Sequence, residues 1–138
     1  MTKGNGYYKA RLSTAASPKE LMAGNYMLRS ISKAKNTDHV IYTMESFEQY
    51  PDLHYATLDF KKSIRLTHGI DQQKDYLWGT AELVSWISLD GRKLEGVVYK
   101  PADFDLAKKY PMIVSFYERN SETLFNYRMP EPHRSTID

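Results

Sequence analysis

The sequence predicts a mainly β chain in which an antiparallel meander runs into a hairpin and one buried strand. Three observations lead there. Short apolar and aromatic runs, broken by turn residues, recur through the first half. An Asp90-Gly91 pair sits between two apolar runs. A nearly continuous apolar block, MIVSFY, ends at Tyr117. The composition agrees, since 11 tyrosines in 138 residues lift the aromatic share to 13% and favour strands over helices.

The runs of the first half are GYYKARL (6–12), YMLRSIS (26–32), HVIYTM (39–44), LHYATLDF (53–60) and SIRLT (63–67). They are rich in valine, isoleucine, tyrosine and threonine, and they start about 10 to 20 residues apart, as in a meander. Four consecutive strands fit one blade of a β-propeller, with 6–12 left over from a preceding blade. Between the first two runs, Ser17-Pro18-Lys19-Glu20 has the form of a capping box. The apolar stretch behind it is too short for a helix, and Gly24 follows at once, so residues 19–23 read as a turn or short strand.

Residues 68–81 (HGIDQQKDYLWGTA) are polar, with two glycines, and read as a crossover. Asp90-Gly91 then predicts a two-residue hairpin turn, because both central positions of that turn need positive φ. Such a turn puts Leu89 opposite Arg92, Ile87 opposite Leu94 and Val84 opposite Val97. Residues 101–109 form a polar loop. In 112–117 the apolar residues do not alternate, which is the pattern of a strand covered on both faces. Pro111 precedes it, where a missing amide donor does least harm. The charged tail 118–138, with Pro130 and Pro132, is expected to be loop.

Composition excludes several functions. With no cysteine there is no disulfide, thiolate metal site or cysteine nucleophile. A net charge of +2, from 19 basic and 17 acidic residues, gives no field for nucleic acid. No apolar stretch approaches the roughly 20 residues of a membrane span. The first ten residues lack the apolar core of a signal peptide. A soluble protein is expected, and the cytoplasm and the periplasm both suit it.

Chemical motifs are sparse. There is no G-x-S-x-G nucleophile elbow, no H-E-x-x-H and no phosphate-cradling glycine loop, so neither metal nor cofactor is expected. His39, His54, His68 and His133 have no serine–acid motif beside them and read as structural. Trp78 and Trp86 read as packing at a domain junction. Tyr117 is the one candidate site residue. It closes the buried strand, and open α/β sheets place ligands at the carboxyl ends of their strands. A phenol there can donate a hydrogen bond to a developing oxyanion.

The block KLEGVVYKPADFDLAKKYPMIVSFY resembles the start of the catalytic domain in the prolyl oligopeptidase family of serine peptidases, above all the dipeptidyl-peptidase branch. The matching residues are Asp90-Gly91, Leu94, Pro101, Phe104-Asp105, Lys108-Lys109-Tyr110-Pro111 and Tyr117. Upstream, ESFEQYPDLHYATLDFKKSIRLTHG is similar to the last propeller blade of those enzymes. The resemblance implies the end of a β-propeller in 1–70, a linker in 71–81 and the opening strands of an incomplete α/β-hydrolase sheet in 82–138. It implies a peptide substrate for a longer parent, and oxyanion stabilisation by Tyr117. The family's serine, aspartate and histidine would lie beyond Asp138, so this chain alone is expected to be inactive. After the tyrosine the family has a glycine-rich turn, where this chain has Glu118-Arg119-Asn120-Ser121.

A second reading takes the chain as a non-catalytic module that binds an extended peptide by edge pairing. On either reading, missing neighbours leave sheet edges open, and homo-oligomers are expected.

Overall fold

The computed structural model describes residues 3–13, 15–69, 72–117 and 119–129, with residue 72 through its backbone alone. His133, Pro130, Pro132 and Glu118 lie outside the described residues. The protein is mainly β, in three antiparallel sheets. Strands β1 (Gly6–Lys9) and β2 (Lys19–Ala23) pair as a ribbon. Strands β3 (Met27–Lys33), β4 (His39–Ser46), β5 (Gln49–Thr57) and β6 (Ser63–Arg65) form a four-stranded meander in sequence order. A short 3-10 turn (Gln72–Asp75) leads to a second ribbon, β7 (Thr80–Ile87) and β8 (Lys93–Lys100). As the sequence implied, Lys19–Ala23 is a strand and not a helix.

Period-two alternation sets the core. On β5, Asp52, His54 and Ala56 are buried, while the residues between them face the other way. Cross-strand partners put Val40 against Ala56 and Tyr42 against His54 on the same face. Leu28 of β3 joins them, and Tyr7, Met22, Tyr26, Met44 and Phe60 pack around the cluster. Tyr42 is its centre. Its ring stacks on His54 at 5.3 Å, meets Tyr7 edge-on at 6.2 Å and leans on Phe60 at 5.5 Å. Asn5 ties the first ribbon to the meander. Its Nδ2 donates to the Leu28 carbonyl (2.7 Å) and its Oδ1 accepts from the Leu28 amide (2.6 Å), as a neighbouring strand would.

Two expected boundaries shift. Residues 58–60 leave the strand and make the β5–β6 turn, in which the Phe60 amide donates to the Thr57 carbonyl (2.8 Å). Phe60 takes a left-handed φ of 55°, unusual for a bulky side chain, because its ring must stack on Tyr7 at 5.1 Å to close the core. β5 also begins earlier than expected, at Gln49, and carries Pro51. β6 pairs only with His54–Ala56, and the β4 register slips between Met44 and Ser46, so Pro51 lies where regular pairing already lapses.

The β7–β8 hairpin forms where expected, but its register differs by one residue. Val84 faces Gly96, Trp86 faces Leu94 and Ile87 faces Lys93. The reason is loop length. The Ser88 amide donates to the Arg92 carbonyl (2.9 Å), leaving the three residues Leu89, Asp90 and Gly91 in the loop. Only Gly91 has positive φ, at 81°, as in a three-residue loop that ends in a left-handed glycine. The Ser88 hydroxyl holds this geometry by donating to Asp90 and by accepting from the Arg92 amide (3.0 Å). Glycine is also required at Gly79, where an added Cβ would lie 1.8 Å from the Lys100 carbonyl oxygen.

The expected buried strand at 112–117 does not form. These residues pair with no strand and are exposed, Phe116 at 90% and Tyr117 at 81%. A strand needs hydrogen-bonding neighbours on its edges and cover on its faces, and the described residues supply neither.

The core assignment predicts unequal effects from adjacent positions. Tyr42→Ala should cost about 3–5 kcal/mol in urea denaturation, in the range of buried aromatic truncations. Ile41→Ala, on the exposed face, should cost under about 1 kcal/mol.

Candidate functional site

Two places hold the residues with chemistry, and they are separate. The first is the loop and exposed run that end at Tyr117. The loop 101–110 organises itself. The Phe104 amide donates to the Pro101 carbonyl (3.1 Å), and Phe104 stacks on Tyr110 at 5.0 Å. The Tyr110 hydroxyl accepts from the Asp105 amide (2.9 Å), and the Asp105 carboxylate accepts from the Ala107 amide (2.9 Å). Lys100 lies over the Phe104 ring at 5.2 Å. Phe104, Asp105 and Tyr110, part of the block singled out in the sequence, thus build a loop that delivers the chain to residue 112. Tyr117 has no ring or hydrogen-bond partner among the described residues, and no acid or base is brought to it.

The chain beyond Tyr117 folds back on the meander. Residues Asn120–Thr123 form a 3-10 turn, and Leu124 is buried. The Asn126 side chain accepts from Arg29 Nη2 (2.8 Å), while Arg29 Nε donates to the nearly buried Glu45 (2.8 Å). Tyr127 meets Tyr50 edge-on at 5.3 Å. The Asn-Ser-Glu-Thr sequence therefore makes the turn that leads the chain back to the meander.

The second place is a buried carboxylate in the meander that sequence reading passed over. Asp52 is fully buried. Its Oδ1 accepts from Thr67 Oγ1 (2.8 Å) and from the Gly69 amide (2.8 Å), and its Oδ2 accepts from Arg65 Nη2. Burial alone would raise its pKa; the three hydrogen bonds and the Arg65 charge outweigh burial and hold it below 3.8. Beside it, His54 faces Arg65 across the β5–β6 pair. Its Nε2 is buried without a partner among the described residues. Burial, then the Arg65 charge, push the His54 pKa below 6.5 against the pull of Asp52. A carboxylate whose oxygens are filled in this way is an anchor, and Asp52 fastens β6 and the start of the crossover to β5.

The remaining expected residues are dispersed. His39 stacks on Tyr55 at 5.1 Å and shares a 3.1 Å hydrogen bond with the Thr37 hydroxyl. His68 is exposed. Trp78 packs at the junction as expected, with its ring 5.6 Å from Phe47 and its Nε1 donating to the Phe47 carbonyl (3.2 Å). Trp86 does not; it is 48% exposed on the second ribbon. Among the described residues no group of three acidic or histidine side chains could hold a metal, and no helix is long and apolar enough to cross a membrane.

No family model matches the chain, and no curated protein matches it. A solved structure of the AtxE2 isopeptidase, a serine-to-alanine variant with Astexin3-dC4 bound, is similar, with a TM-score of 0.56 and 17% identity. The match covers 77% of this chain, which spans only 16% of that structure. The chain thus shares its fold with part of that structure.

Asp52 and His54 contribute to the acid limb of stability beside the exposed carboxylates of Asp59 and Glu95, which are also held low by their hydrogen bonds. As pH falls below 6.5, the unfolded chain protonates at this histidine before the fold does, so stability declines from there. The Asp52 contribution is complete above 3.8 and is lost as pH falls through its lower folded value. Denaturation midpoints measured against pH should show both steps, and His54→Phe should remove the upper step alone.

Proposed function

We propose that this chain is a section of a serine peptidase of the prolyl oligopeptidase kind. On this reading the meander is the final propeller blade, and the β7–β8 ribbon with residues 112–117 opens the α/β-hydrolase sheet. One observation carries the reading. The likeness to a peptidase structure covers 77% of the chain, more than the meander alone could supply. The resemblance of Asp90-Gly91 and of the loop from Pro101 to Pro111 points the same way.

The parent reaction is acyl transfer from a peptide to serine and then to water. Tyr117 takes part by hydrogen bonding to the oxyanion once other strands cover 112–117 and turn its phenol inward. The nucleophile, its base and the orienting acid come from sequence beyond Asp138. The exposed edges of β7 and β8 favour a second reading, a module that pairs with an extended peptide without turnover. Calorimetric titration with proline-containing peptides separates the two, since only the module binds them as this short chain.

A fluorophosphonate probe should label no serine of the 138-residue chain, and covalent labelling would contradict the assignment of the nucleophile to later sequence. In the longer enzyme, Tyr117→Phe should lower kcat about 100-fold with little change in KM, the usual cost of one oxyanion donor.

A further inference from the structure

We infer that Asn5 is a spontaneous deamidation site guarded by the docking of the first ribbon, and that its conversion to a carboxylate loosens that ribbon from the meander. The inference goes beyond the peptidase reading and does not rest on it. Of the five asparagines, only Asn5 precedes a glycine. A following glycine leaves the next backbone nitrogen open to the asparagine side chain and lets the chain bend towards it. The fold requires both residues. An added Cβ at Gly6 would lie 2.7 Å from the Ala23 Cβ and 2.7 Å from the Met22 carbonyl oxygen, so β2 admits no side chain there. Position 5 needs a group that donates and accepts at once, since Nδ2 donates to the Leu28 carbonyl (2.7 Å) while Oδ1 accepts from the Leu28 amide (2.6 Å). Close packing at one residue and hydrogen bonding at the other thus build in a reactive pair.

The chemistry needs only water. The Gly6 nitrogen attacks Asn5 Cγ, the new C–N bond closes a five-membered imide, and Nδ2 leaves as ammonia with the proton that Gly6 gives up. Water then opens one of the two imide carbonyls, giving aspartate or isoaspartate. One water is consumed and one ammonia is released, with no change of oxidation state. Asn5 is exposed, so water reaches the imide. The folded chain opposes the first step. Both polar ends of the amide are held on Leu28, and Gly6 is paired with Ala23 in the ribbon. Ring closure needs the amide to swing off Leu28 and the backbone to bend at Gly6, so it waits for local opening. The product cannot remake the tie. A carboxylate has no proton for the carbonyl of the buried Leu28 and sets an oxygen against it instead. Isoaspartate also lengthens the main chain by one carbon just ahead of the β1–β2 register.

The test uses the whole chain. Wild-type protein is held at mildly alkaline pH, folded or in urea, and then digested with trypsin. The peptide Gly4–Lys9 carries Asn5 as its single side-chain amide. Mass spectrometry should find Asn5 converted ahead of the other asparagines in urea, and at least about tenfold more slowly in the folded chain. Asn5→Asp should lower the urea midpoint at neutral pH. Protonating the new carboxyl restores a donor to Leu28, so its folded pKa lies above the unfolded one, and the deficit against wild type should shrink as pH falls through about 4. Another asparagine converting first in urea, equal rates at Asn5 with and without urea, a wild-type midpoint for Asn5→Asp, or a deficit that persists at low pH would each overturn the inference.

Discussion

Phe47, in the β4–β5 turn, is the point on which the two halves of the protein meet. A tight turn leaves its carbonyl without a strand partner, and here two side chains from the crossover supply one. Gln73 Nε2 donates to that carbonyl at 2.9 Å, and the Trp78 indole donates at 3.2 Å. The Phe47 ring packs against Trp78 and also against Tyr99 of β8, with centroids 5.3 Å apart in the second pair. Gln73 reaches on to the Arg128 carbonyl at 3.3 Å, so the tail joins the same cluster. Crossover, second ribbon and tail thus converge on one residue. Lys3 and Glu95, an ion pair at 2.7 Å, also link the first ribbon's end of the chain to β8, but a solvent-screened pair of this kind adds little.

The Asp52 network makes this meeting possible. A carboxylate with no exposure is costly unless its oxygens are filled. The donors that fill them, Arg65, Thr67 and Gly69, are consecutive alternate residues leaving β6. The same bonds that keep the charge satisfied therefore fix the path of the chain out of the meander and towards the 3-10 turn that carries Gln73. Arg65 Nε, donating to the Thr67 carbonyl (2.9 Å), tightens the bend further. The anchor lies in the meander, and its consequence is the position of the second ribbon.

Much of this was visible in the sequence, and what was hidden has physical reasons. Runs rich in valine, isoleucine, tyrosine and threonine, broken by turn residues, gave away β3 to β6, because strand preference is a local property. Asp90-Gly91 announced a hairpin, yet the register depended on Ser88, whose hydroxyl selects the three-residue loop. The run at 112–117 has the composition of a buried strand, but composition describes a demand for neighbours and cannot create them. Asp52 and Phe47 were passed over because nothing beside them marks their roles. Their partners stand 13 to 52 residues further along the chain, and only folding brings them together. Tyr117, the candidate site residue, was found through a family resemblance and its expected place at a strand end, and the described residues bring no acid or base to it.

Phe47 clasps the two halves through its carbonyl and its ring. The two tryptophans offer a direct comparison, since the Trp78 indole donates to Phe47 while Trp86 is half exposed on the ribbon with no acceptor among the described residues. Hydrogen exchange of the two indole N–H groups, followed by NMR, measures the clasp. The account predicts that Trp78 exchanges much more slowly than Trp86. Equal and fast exchange at both rings would contradict it.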